Sequence, residues 1–444
     1  KGPGVGWPVR PTAVAPGPSS QPKQRKMARR FTLKVPRPLE LGRRLVDLLG
    51  PTGGAARQTL IALTFNSSTS FVAGAVLGSI VGTFDRLPGL LLMVPAAIGL
   101  RGNVFGSMGN RLSTAIHTGT FRATFRKESV LRQNVTASLS LTIVLSFVLA
   151  LLAKVAAVSF GIANSISVLD LALISVLGGL LASLVVLIAT VVLAVLSVRR
   201  EWDLDNLVAP TTATLGDVVT IPSLYLASRL VNGSEVSTVL GWITLVVALG
   251  ALVVSLRTKQ ALVRQIFRES VPVLTAALIL STLAGLAVEK QLGMFAALPA
   301  LLVLEPAFVS SAGSLGGILS SRVATNLHLG LVEPLVRPGR EVRRDALAVA
   351  LIGLPVFIFN GVGAHFVAGL LGEASPGLLP MVAVSLVAGA VAVAFVLAVA
   401  YYGTIAAWQV NLDPDTYGIP VVTASVDFVG AVALIVTVIA FGLT

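Results

Sequence analysis

Long apolar runs separated by short polar breaks dominate the chain from residue 58 onward. Eleven such runs can be drawn, at roughly 58–84, 88–116, 129–160, 168–198, 206–230, 237–257, 266–289, 295–327, 345–371, 378–408 and 416–442. Each is long enough to cross a hydrocarbon core of ~30 Å as a helix. The runs are continuous rather than alternating, which selects helices over barrel strands. The prediction is an all-α integral membrane protein with about eleven transmembrane helices. The second and eighth runs are punctuated by Pro95, Gly99 and Gly102 and by Pro306, Gly313, Gly316 and Gly317. They are predicted to be broken helices, which survive at membrane depth only against protein or a cavity.

Residues 1–57 differ from the rest. They are rich in Pro, Gly, Arg and Lys, lack an apolar run and are expected to form a disordered cytoplasmic tail, with Met27 a candidate start. Across the whole chain 55% of residues are hydrophobic and 12% charged, against about 25% charged in soluble domains. The formal charge of +13 could suggest nucleic acid, but its placement does not. With the N-terminus inside, all of the 33 Lys and Arg except Arg86, Arg101, Lys154, Arg229 and Lys290 fall in the tail, in cytoplasmic loops or at cytoplasmic span ends. That is the positive-inside pattern. It predicts a multi-pass protein of the cell membrane with a cytoplasmic N-terminus and an extracellular C-terminus, whose basic residues meet lipid and no nucleic acid. Lys154 and Asp170 are expected to snorkel at outer span ends. There is no cysteine and there are three histidines, so a cation site has to be built from oxygen, the donor suited to hard ions. No catalytic residue and no site for a prosthetic group are predicted.

The chain also repeats itself at an offset of 210–211 residues. Arg111-Leu-Ser-Thr-Ala-Ile-His117-Thr-Gly119 matches Arg322-Val-Ala-Thr-Asn-Leu-His328-Leu-Gly330. Asp203, Asp205, Pro210 and Asp217 match Asp413, Asp415, Pro420 and Asp427. Ala73-Gly74 falls opposite Ala284-Gly285, and Pro95 opposite Pro306. The division predicted is a repeat at 58–232, a linker helix at 233–262 and a second repeat at 263–444. Six crossings precede the second copy, so the two five-helix repeats run parallel, related by a pseudo-two-fold axis along the membrane normal. Such a chain works as a monomer that imitates a homodimer.

Asp217 and Asp427 carry the chemistry. Each sits near the middle of the last span of its repeat, where an ionised carboxylate costs about 3 kcal/mol even on the mildest scale. Facing one another they repel unless a cation lies between them, and two carboxylates match one divalent ion. The alternative is a protonated aspartate or a shared-proton pair. Mg²⁺ keeps its water tightly, so largely water-mediated contact is expected. Pro210 and Pro420 either free carbonyl ligands or simply occupy a first helical turn. Asp203, Asp205, Asp413 and Asp415 either gather cations at the mouth or cap helices. Gly102 and Asn103 are candidates to line the path, with Gly313 and Ser314 in their place in the second copy. Glu305 faces Val94 across the repeat and is a second site, a coupling-ion site or a buried protonated acid.

These motifs, Pro95…Gly102-Asn103…Arg111-Leu-Ser-Thr-Ala and Asp203-Leu-Asp205-Asn206…Pro210…Leu215-Gly216-Asp217 with their second copies, resemble the MgtE-type magnesium transporters, above all the two-repeat members of solute carrier family 41. The resemblance covers residues 58–444. It implies transport of Mg²⁺, or of Mn²⁺ or Co²⁺, with Asp217 and Asp427 at the central ion site and Gly102 and Asn103 along the pore. The acidic and CBS modules of bacterial members have no match in this sequence. Three other readings are a Na⁺- or H⁺-coupled exchanger, an intramembrane aspartyl protease using the two aspartates, and a membrane scaffold without transport.

Overall fold

The computed structural model describes residues 53–443 except 201–203, 232–234, 329 and 410–413; for 53–56, 58, 205–207, 209–210, 328 and 414–419 it describes the backbone alone. The expected tail, Asp203 and Asp413 lie outside the described residues. All described regular structure is helical. In the first half α1 (Gly53–Ser79) leads through the short α2 (Val81–Arg86) and a 3-10 turn (Leu91–Met93) into α3 (Val94–His117). Then come α4 (Val130–Ser159), α5 (Val168–Arg200) and α6 (Asp205–Ser228). After α7 (Glu235–Arg257) the order recurs as α8 (Ala261–Glu289), the short α9 (Leu292–Ala297), α10 (Ala300–His328), α11 (Arg340–Leu371), α12 (Leu378–Gln409) and α13 (Pro414–Ala440).

Ten described helices are long and apolar enough to cross a membrane. The eleventh expected span, α6, is not among them: Thr211, Thr212, Thr214, Asp217 and Thr220 dilute its apolar surface. At 24 residues and 1.5 Å per residue it still reaches about 36 Å. It packs on α1, α3 and α5, so protein rather than lipid covers its polar face. Large exposed apolar side chains, such as Val239, Trp242, Val246 and Val254 of α7, form the surface suited to lipid.

The interruptions expected in the second and eighth spans do not occur. α3 is continuous from Val94 because Pro95 occupies its first turn, where no N–H is needed. α10 runs unbroken through Pro306, and α13 through Pro420. Gly316 admits Val396 and Gly99 approaches Asp427, whereas nothing lies within 4 Å of an added Cβ at Gly102 or Gly317. Lys154 Nζ donates to Ser165 O, Ser165 Oγ and Ile166 O at 3.0, 2.8 and 3.0 Å, tying the following loop to α4. At the equivalent place in the second half, His365 Nδ1 and Ser375 Oγ are 2.8 Å apart.

Packing crosses between the halves in equivalent ways. α1 packs on its own α6 and on α10 and α11 of the second half; α8 packs on its own α13 and on the 3-10 turn, α3 and α4 of the first. At the crossings Gly74 lies against the Val303 backbone and Gly285 against the Leu92 backbone, positions related by the 211-residue offset. The linker α7 packs on α4, α5 and α8.

Candidate functional site

Asp217 reaches the junction of the halves because α6 packs between α1 and α3. It is 6% exposed. Its Oδ2 accepts from Ser70 Oγ of α1 at 2.7 Å and from Ser310 Oγ of α10 at 3.3 Å. Asn66 Nδ2 steadies that second serine at 2.8 Å. One turn away Ser67 Oγ lies 3.0 Å from Ser311 Oγ, which also accepts from Asn360 Nδ2 at 3.0 Å. Asp217 is therefore held by one hydroxyl from its own half and one from the other.

Asp427 is held the same way within its half. Its Oδ2 accepts from Ser281 Oγ of α8 at 2.5 Å. Ser70 and Ser281 stand 211 residues apart, so each aspartate is bound by the same position of the first helix of its repeat. Across the halves Asp427 meets Gly99 of α3, where an added Cβ would sit 3.6 Å from Oδ2. Gly99 occupies the position of Ser310, so this aspartate lacks the second hydroxyl. Among the described residues no protein donor reaches either Oδ1.

Glu305 on α10 is 7% exposed and lies near enough to both Asp427 and Asp217 to feel their charge. Among the described residues nothing donates to its carboxylate. Asp427 in turn feels the charge of Asp217. No group of three or more His, Cys, Asp or Glu among the described residues is close enough to hold a metal ion directly.

The other predicted residues fall around this point. Gly102 opens onto free space, with no atom within 4 Å of an added Cβ, and its N lies beside Gly216. Asn103 and Ser314 are half-buried at equivalent positions of α3 and α10. Pro420 is buried within α13. Pro210, Asp205 and Asp415 lie on described backbone, Asp205 and Asp415 in the first turns of α6 and α13, and their side chains are outside the described residues. Arg111 Nε donates to Asn134 Oδ1 at 2.7 Å, and the equivalent Arg322 Nη1 lies 3.5 Å from Asp345 Oδ1. Sequence reasoning missed Ser70, Ser281, Asn66 and Ser310. The first two carried a signal, because they fall at the repeat offset, one turn before Gly74 and Gly285.

Comparison with known proteins finds one family matched twice along the chain. The model of the MgtE family, described as a divalent cation transporter, matches residues 94–227 and again 305–437. Solute carrier family 41 member 2 of Xenopus laevis is 29% identical over 413 residues, 86% of this chain and 71% of that protein. Member 3 of Mus musculus is 25% identical over 416 residues, 87% and 84% of the two chains. Member 2 of Homo sapiens is 26% identical over 411 residues, 86% and 70%. No solved structure matches.

Proposed function

The chain belongs to the MgtE family of divalent cation transporters, and from that premise we propose that it carries Mg²⁺ along a path between its two halves, with Asp217 and Asp427 binding the ion. The observation that carries this reading is the equivalent fixing of the two aspartates. Each is pinned at mid-span by the same serine position of its own half. Holding two carboxylates in one low-dielectric region is unfavourable without a positive charge. A divalent ion neutralises the pair, and Mg²⁺, which gives up its water reluctantly, would meet the carboxylates largely through retained water. Mn²⁺ and Co²⁺ are competitors at such an oxygen site. The transporter relatives favour this reading over peptide hydrolysis by the same two residues.

The basic loops put the N-terminus in the cytoplasm and, after eleven crossings, the C-terminus outside. Both halves then run in the same sense about an axis normal to the membrane, and one chain suffices for the path. A potential of 100 mV, inside negative, supplies about 4.6 kcal/mol for a divalent ion, so inward flow requires no second ion. Glu305 supports a second reading, in which a Na⁺ or a proton occupies the extra carboxylate and is exchanged. Flux with and without a Na⁺ or pH gradient separates the two readings.

The test is Mg²⁺ uptake into proteoliposomes, read by an internal indicator. Asp217→Asn plus Asp427→Asn is expected to abolish uptake while the protein keeps its wild-type elution profile and melting curve. Uptake retained in that double variant overturns the proposal.

A further inference from the structure

The basic loop residues are not shared evenly between the halves. Residues 118–134, between α3 and α4, and residues 257–269, from the end of α7 into α8, together hold eight Arg and Lys against two Glu, a formal charge of plus six. Residues 329–345, which match 118–134 in the second half, hold four Arg against three carboxylates. The two basic segments lie together. α4 packs on both α7 and α8, and Gln260 Nε2 donates to Lys127 O at 3.3 Å, joining the α7–α8 turn to the α3–α4 loop. Arg126, Lys127, Arg257, Lys259, Arg264 and Arg268 are all exposed, and among the described residues none of them is ion-paired. Of the two acids, Glu128 is exposed and Glu269 accepts from Gln265 Nε2 at 3.0 Å.

Positive charge on cytoplasmic loops sets topology, but that need does not gather two distant segments onto one face of one half. Cations so placed repel one another and attract a polyanion. Two neighbouring features say which kind. Phe125 lies in the same loop and is 59% exposed; its carbonyl accepts from Arg132 Nη1 at 3.3 Å, which fixes the loop. An exposed aromatic ring beside a span end suits the level of lipid headgroups. α7 ends at Arg257, and Val246, Leu249, Val253 and Leu256 form an exposed apolar stripe leading to it. An acyl chain lying along that stripe brings its headgroup to the basic face. A soluble polyanion or an acidic protein has no use for the stripe.

We propose that this face binds the headgroup of a polyphosphorylated inositol lipid of the cytoplasmic leaflet, with Arg126, Lys127, Lys259 and Arg264 meeting its phosphates and its chains against α7. A singly charged headgroup matches six unpaired cations poorly, whereas phosphates on one inositol ring bring several negative charges to a single lipid position. The inference rests on the cytoplasmic placement of these loops and is independent of which residues bind the transported ion.

Native mass spectrometry of the solubilised full chain, titrated with dioctanoyl phosphatidylinositol bisphosphate, tests it. The affinity of wild type for one lipid is expected to fall at least tenfold in R126Q/K127Q/K259Q/R264Q. R337Q/R340Q/R343Q/R344Q makes the same change on the other half and is expected to stay within about threefold of wild type. The basic N-terminal segment is common to all three chains, so the difference between them reads the patch. Phosphatidylserine and free inositol trisphosphate are each expected to bind at least about tenfold more weakly than the lipid. Should the first variant not fold, K127Q and K259Q carry the test singly, each weakening binding about fivefold. No binding to wild type, equal losses in the two quadruple variants, phosphatidylserine matching the bisphosphate, or the free headgroup matching the lipid overturns the inference. The chain has no cysteine, so T258C reads the topology by itself: labelling by an impermeant maleimide in intact cells removes the underlying orientation, whereas the binding outcomes remove this inference alone.

Discussion

Replacing Gly74 by alanine should prise apart the helices that meet beside the carboxylates. A Cβ on Gly74 would stand 2.8 Å from the Val303 Cα, and one on Gly285 would stand 2.7 Å from the Leu92 Cα. Both obstacles are backbone and cannot rotate away. Ordinary contact begins at 3.4 Å, so α1 and α10 have to part by at least ~0.6 Å, and α8 and the 3-10 turn by slightly more. Overpacking of this kind costs about 1–3 kcal/mol, offset by up to ~1 kcal/mol from the better helix propensity of alanine. The expected net loss is ~1–2 kcal/mol for each substitution, read as a fall of a few degrees in the melting temperature of the detergent-solubilised protein. Function should suffer too, because Ser70 and Ser281 lie one turn before these glycines and are carried off their aspartates. Gly250 of α7, with nothing within 4 Å of an added Cβ, is the control: G250A should be neutral or slightly stabilising. G74A and G285A melting at or above wild type, like G250A, would refute the close approach.

Two further outcomes follow from the bonds around the site and at the span ends. S70A and S281A each remove a hydroxyl from an aspartate Oδ2; a hydrogen bond to a charged group is worth about 1.5–3 kcal/mol, so the KM for Mg²⁺ uptake should rise about tenfold in each, with a larger rise in the double variant. R111A leaves the fully buried Asn134 without its donor and should destabilise by about 1–3 kcal/mol, whereas R322A breaks a 3.5 Å pair whose partners are 36% and 32% exposed and should change stability by less than ~1 kcal/mol; thermal melting of the two variants, side by side, checks the contrast.

Much of the fold was legible because the chemistry of lipid leaves few choices. An apolar run of membrane length has to be helix, and the paired motifs at one offset disclosed two copies before any coordinate was known. The aspartates stood out for the same reason: a carboxylate is conspicuous in a span. What escaped was set by contacts between segments far apart in the chain. Pro95 and Gly102 read as breaks in α3, but Pro95 falls in the first helical turn and the helix runs on through Gly102, which the local pattern does not reveal. The acceptors of Lys154 are loop atoms that only the closed turn brings within 3.0 Å. Ser70 and Ser281 were two hydroxyls among many until each met a carboxylate 147 or 146 residues away. Arg101 was noted in its span, yet its burial follows from the space that Gly179 of α5 leaves for its guanidinium, which no local pattern links to it.

The seating of α1 on α10 and α8 on α3 makes each half self-complementary to a second copy of its own pattern. Cut at the linker, either piece would present two bare surfaces: a groove without its visiting helix and a helix without its groove. Parting the halves would therefore uncover both seams at once.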